Sequence, residues 1–162
     1  MIATSRKKTP NIKVSIVDVD MIENNYVVTR KGILIAGGRN TDFELVPADV
    51  GALNWYEAVK VQDNPRVKVR YNGEDHTSDC TGLRLPTKEE MDLLILNEKL
   101  VSRRFQDIGW TPLTGFRTWT STEVDSDYAW LLDGNRSGGV ETVDMIEYPK
   151  SRWAPVIMVR DV

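Results

Sequence analysis

The stretch Leu83-Arg84-Leu85-Pro86-Thr87-Lys88-Glu89-Glu90 decides how the rest of this sequence is read. Thr87 and Glu90 have capping-box spacing: the threonine hydroxyl meets the Glu90 amide while the Glu90 carboxylate reaches back. Glu89 and Glu90 suit the positive end of a helix. Met91, Leu94 and Ile95 then predict an apolar stripe, broadened by Leu93 and Leu96. Upstream, Asn54 and Glu57 repeat the same box, with Trp55, Ala58 and Val59 on one face. Two helices are therefore expected in the middle of the chain.

Strands flank them. Ile12, Val14 and Ile16 alternate with Lys13 and Ser15, the period of a half-buried strand. Tyr26 to Thr29 and Ile33 to Ala36 read as two short strands turning at Lys31-Gly32. Gly37-Gly38-Arg39-Asn40 reads as a loop, because a phosphate cradle needs further spaced glycines and a helix start. Asp63 to Leu83 reads as an irregular surface excursion, with a short strand at Val67 to Arg70. Ser102 to Gly115 is ambiguous, with Gly109, Pro112 and Gly115 marking loop. Strands return at Arg117 to Thr122, Tyr128 to Leu132, Val140 to Ile146 and Val156 to Arg160. Asp133-Gly134-Asn135 is a turn signal between two of them. The apolar run Pro155 to Val159 lacks alternation, as expected of a central strand covered on both faces. Strands, two helices, then strands predict an α+β domain with two helices packed on antiparallel sheets.

Composition agrees with one globular domain. The chain has 162 residues, 41% apolar and 28% charged, with a formal net charge of -3. That balance excludes long disorder, and scattered Lys and Arg argue against a nucleic-acid face. Arg6-Lys7-Lys8 reads as a solvated arm. No apolar run is long enough to cross a bilayer, and Thr9-Pro10-Asn11 stands where a signal peptide needs its apolar stretch. The expected location is a virion or the cytoplasm. Cys80 is the only cysteine, so an intrachain disulfide is excluded.

Taken in order, Arg84 to Glu90, Trp119-Thr120-Ser121-Thr122-Glu123, Ala129-Trp130 and Val159-Arg160 form a recurring pattern. It resembles a bacterial and phage family named for the C-terminal domain of Legionella collagen-like adhesins, within the C-type-lectin-like superfamily. Gly32 to Ile35 and Leu53 to Ala58 also resemble that family's upstream strand and first helix. The resemblance spans residues 26–162, leaving residues 1–25 as an N-terminal arm or strand. It implies a C-type-lectin-like fold and ligand binding or adhesion.

Most motif residues have plain structural readings. Trp119 and Trp130 are expected as core pillars, and Thr122-Glu123 as a backbone bonder at a strand end. Arg84 is expected to tie loop to helix through its fork of donors. Catalysis fares poorly: His76 is the only histidine, and its pairing with Cys80 four residues on reads as an exposed loop. No metal or other cofactor is expected. A zinc site lacks ligands, and Asp125, Asp127 and Asp133 read as turn residues rather than calcium ligands.

Binding is instead expected on the loop-rich edge, at Trp110, Arg117, Asn135, Arg136, Arg152 and Trp153, by aromatic area and fork-shaped donors. Two classes stay open. One is a non-enzymatic module for a cell-surface glycan or protein receptor, in a phage virion; the other is a structural virion part contacting only neighbouring virion proteins. Homo-oligomerisation is expected through an arm from Met1 to Asp18 crossing to a neighbour.

Overall fold

Eleven consecutive registers, from Lys13↔Ala36 to Glu23↔Tyr26, join β1 (Lys13–Glu23) to β2 (Tyr26–Ala36) in the computed structural model. The structure describes residues 12–23, 26–38, 42–48, 50–62, 66–71, 74–79 and 82–162. Lys31-Gly32 is therefore not a turn; it lies inside one long strand. The glycine answers to packing: a Cβ there would sit 2.5 Å from Val19 Cγ2 and 2.8 Å from the Leu45 carbonyl. Buried positions change face along β1. Ile12 and Val14 enter one core, whereas Val19 and Met21 enter another. Ile16, expected inside, lies just past the first core and is 38% exposed.

The order continues with β3 (Phe43–Val46), β4 (Ala52–Leu53), α1 (Trp55–Val61), β5 (Arg66–Tyr71), β6 (Glu74–Asp79) and β7 (Leu83–Arg84). Next come α2 (Lys88–Leu96), α3 (Glu98–Asp107), a 3-10 turn at Leu113–Gly115, and β8 (Arg117–Glu123). The chain closes with β9 (Tyr128–Asn135), a 3-10 turn at Ser137–Gly139, β10 (Thr142–Pro149), β11 (Ala154–Pro155) and β12 (Met158–Asp161). The main sheet runs β5-β6-β1-β2-β3-β12-β7, a second runs β10-β9-β8, and β11 pairs with β4. All recorded pairings are antiparallel, so the protein is α+β.

Both capping boxes form as the spacing requires. Asn54 accepts from the Glu57 amide at 2.9 Å, and Thr87 from the Glu90 amide at 3.2 Å. Met91 and Leu94 are fully buried, while Leu96 points out at 56% exposure. Among the described residues there are three helices rather than two. α3 follows α2 with only Asn97 between them, burying Val101, Ser102 and Phe105 among charged neighbours that mask the stripe.

Other expectations also change. The strand expected at Val67 to Arg70 forms as β5, but the rest of the excursion is not irregular: β5 and β6 make a hairpin that joins the main sheet at Glu23↔Ser78. Its backbone register runs from Arg66↔Asp79 to Tyr71↔Glu74. Asp133-Gly134-Asn135 ends β9 instead of turning, because Gly134 lets the 3-10 segment press on the strand: its amide donates to the Phe116 carbonyl at 2.8 Å. β10 starts at Thr142, and Val140 is exposed. Of the apolar run at 155–159, only Met158 and Val159 are in β12; Met158 enters one core and Val159 the other. Covering both faces explains their lack of alternation. Among the described residues, no helix is long and apolar enough to cross a membrane.

Candidate functional site

A cleft opens where β3 and β12 part. Val46 still pairs with Met158, but beyond that register Pro47-Ala48 and Pro155-Val156-Ile157 form facing walls. Prolines cannot donate to a ladder, so Pro47 suits the place where the β3/β12 pairing stops, while Pro155 lies in β11, which pairs with β4 instead. Gly109-Trp110-Thr111 and Gly115-Phe116-Arg117 complete the lining, around a volume of about 490 Å³. The Ile157 wall is pinned from below, since its amide donates to the buried Thr118 hydroxyl at 2.9 Å. The aromatic wall is rigid too. Trp110 meets Phe105 edge-on at 5.2 Å, and Phe116 meets the same ring at 5.2 Å.

The expected binding residues divide. Trp110, half-buried, and Arg117 line the cleft. Arg117 donates through Nε to Asp133 at 2.8 Å and lies 5.4 Å from the Tyr148 ring, which fixes its direction. Arg136 stands behind Gly115, holding the Thr114 hydroxyl at 3.1 Å, with Glu141 at 3.9 Å. Asn135 shapes the following turn by accepting from the Ser137 amide at 2.8 Å. Arg152 and Trp153 do not line the cleft; both are exposed on the turn after β10. Pro47, Ala48, Phe116 and Val156 were not foreseen. Their sequence signal is only a proline beside an apolar run, which becomes a wall once β3 and β12 are neighbours.

The remaining polar motif residues hold the frame. Arg84 makes a two-pronged bond to Glu90, both arms 2.7 Å, and reaches the Leu85 carbonyl and Asp161 at 3.2 and 2.8 Å. Those carboxylates raise the guanidinium pKa, Glu90 foremost, and Arg84 in turn lowers that of Asp161. The Thr122 hydroxyl accepts from the Lys88 amide at 3.0 Å, serving the start of α2. Glu123 takes a side-chain partner instead of backbone, the ammonium of Lys150 at 2.9 Å.

Trp119 is a fully buried pillar whose Nε1 donates to the Leu53 carbonyl at 2.9 Å. Trp130 is not; it is half-buried beside the Lys88 ammonium, 5.0 Å from its ring centre, because Lys88 on the first turn of α2 shields it in place of a core. Asp125 accepts from the amides of Asp127 and Tyr128, the expected turn. Among the described residues, no three His, Cys, Asp or Glu side chains gather as a metal site. The backbone of His76 belongs to β6 rather than a loop, and Cys80 lies outside the described residues. No protein-family model matches this chain, and no curated protein matches it.

Proposed function

We propose that the chain is a C-type-lectin-like domain acting as a non-enzymatic ligand- or receptor-binding module, with the β3/β12 cleft as its site. The observation that carries this reading is the cleft itself: an apolar recess of about 490 Å³ with one arginine at its edge. Binding sites for small groups have that size and mixture. Its polar neighbours are engaged in holding shape, Arg117 by Asp133 and Thr118 by Ile157 and Trp119, which suits recognition by a preformed surface. The motif order supports the fold: the helix start, the tryptophan strand, the Ala-Trp strand and the closing strand fall on α2, β8, β9 and β12. The setting we favour is a virion or similar assembly, with a cell-surface glycan or protein receptor as the partner.

The test is binding of the purified protein to a glycan array and to whole bacterial cells, with and without chelator. Saturable, chelator-insensitive binding is expected. Thr111→Trp, which fills the recess from an exposed position, should weaken it by about tenfold or more. Unchanged binding by that variant would remove the cleft from the reading. No binding to either target would favour a structural part that recognises only its own assembly.

A further inference from the structure

A second surface forms apart from the cleft, where α1, the turn before β9 and the turn after β10 converge. Three backbone relations bring these segments together. The Trp55 amide donates to the Lys150 carbonyl at 3.0 Å, the Lys150 amide donates to the Asp127 carbonyl at 2.9 Å, and Tyr128 lies opposite Pro149. Ala154 pairs with Leu53, so Trp153 stands one position beyond that register, beside the Asn54 cap of α1. Three large aromatic side chains are thereby presented outward: Trp153 at 68% exposure, Tyr56 at 49% and Tyr128 at 40%.

The surface is built rather than loose. Beneath it the Lys150 side chain is 3% exposed, bonded to Glu123 at 2.9 Å. Its ammonium lies 4.4 Å from the Trp55 ring centre and 5.9 Å from that of Tyr56. The Tyr56 hydroxyl donates to the Ser126 carbonyl at 3.3 Å. Asp125 locks the adjoining turn through two amide bonds of 2.8 and 2.9 Å. Holding these groups before contact lowers the ordering cost of binding.

Charge names the occupant. Arg152 and Asp127 are both exposed on this surface, and neither side chain has a partner among the described residues. A patch carrying one unpaired cation and one unpaired anion around aromatic rings is complementary to itself. A two-fold axis through the patch would set each Arg152 against the Asp127 of a second copy and bring the rings together. Tyr, Trp and Arg are also the residue types that dominate protein contacts. We infer that this surface is a two-fold contact between two copies of this chain. It stands independently of the cleft and of the expected arm from Met1 to Asp18, whose residues 1–11 lie outside the described residues and whose Lys13 to Asp18 pair with β2 of the same chain.

Sedimentation equilibrium of the full chain, from low to high micromolar concentration, tests the contact. The expected result is a monomer–dimer equilibrium that Trp153→Ser or Arg152→Asp weakens by about tenfold or more. The double variant Asp127→Arg/Arg152→Asp, which exchanges the charges, should recover most of the loss. Tyr26→Ser, at the far end of β2, and Thr111→Trp, in the cleft, should leave the mass unchanged. Near-UV circular dichroism confirms folding of each variant, and the exposed position of Trp153 keeps it outside the core. Three results would overturn the inference: a monomer at every concentration, a double variant as weak as Arg152→Asp, or a dimer lost only when residues 1–11 are removed. Loss of glycan binding by Trp153→Ser with the mass unaltered would overturn it as well, because the rings would then be serving sugar.

Discussion

Replacing Gly134 with alanine should unsettle this fold more than any exposed substitution. An added Cβ would stand 1.9 Å from the Leu113 carbonyl oxygen and 2.8 Å from both N and O of Phe116, whereas ordinary contact starts near 3.4 Å. All three atoms are backbone, so no rotamer change relieves the clash. The 3-10 segment must retreat by about 1.5 Å, a displacement that close packing resists. Retreat breaks the 2.8 Å bond from the Gly134 amide to the Phe116 carbonyl and lifts the fully buried Leu113. Overpacking of this kind costs about 1–3 kcal/mol, and an orphaned buried backbone group about as much again. We expect about 3 kcal/mol in total, or a fall in Tm of about 6–12 °C for a chain of this size. Urea unfolding followed by tryptophan fluorescence measures it, with Gly139→Ala as the comparison. Gly139 has φ +75° but open space around its added Cβ, so that variant carries only the left-handed backbone strain, about 1 kcal/mol. Equal losses in the two variants would refute the argument, since close approach would then contribute nothing.

Two further outcomes follow from the Arg84 network. Arg84→Met strands the Glu90 carboxylate, only 5% exposed, without its two-pronged partner, and should cost about 3 kcal/mol by urea denaturation; a loss below about 1 kcal/mol would show the pair is dispensable. Asp161 is held below the usual carboxylate range by its bond from Arg84, so its contribution is present above the unfolded value of 3.8 and lost as pH falls through the lower folded value. Because Asp161 is exposed, we expect only a few tenths of a kcal/mol between wild type and Asp161→Asn at neutral pH, fading on acidification; a gap that widens toward low pH would reverse the sign.

What was legible in the sequence was local. Asn54 with Glu57 and Thr87 with Glu90 close their boxes across three residues, so spacing alone carried both helix starts. The glycines misled for the opposite reason. Gly32 and Gly134 look like turn residues in isolation, yet each answers to a distant neighbour, Leu45 for one and Leu113 for the other. α3 was missed because Val101 and Phe105 are spaced one turn apart among Glu98, Lys99, Arg103 and Arg104, which gives a narrow stripe. The cleft was least legible. It exists because two strands more than a hundred residues apart in sequence pair and then separate, and no local window contains both.

The same distinction explains why charged residues were poor guides to the site. In the sequence, Arg84, Glu90, Lys150 and Asp133 look as available as Arg152 and Asp127. Folding separates them by what lies within reach. Arg84 finds Glu90 because a two-residue strand and a helix cap converge there. Lys150 is drawn between Glu123 and the Trp55 ring because its backbone is bonded to α1 and to the turn before β9. Taking these ions from water requires a partner for each, so each is committed to holding elements together. Exposed charges face no such requirement and need a reason of another kind. Arg152 and Asp127 border a rigid aromatic surface without partners within the described chain, and this is where a contact with another molecule adds what the fold itself does not supply.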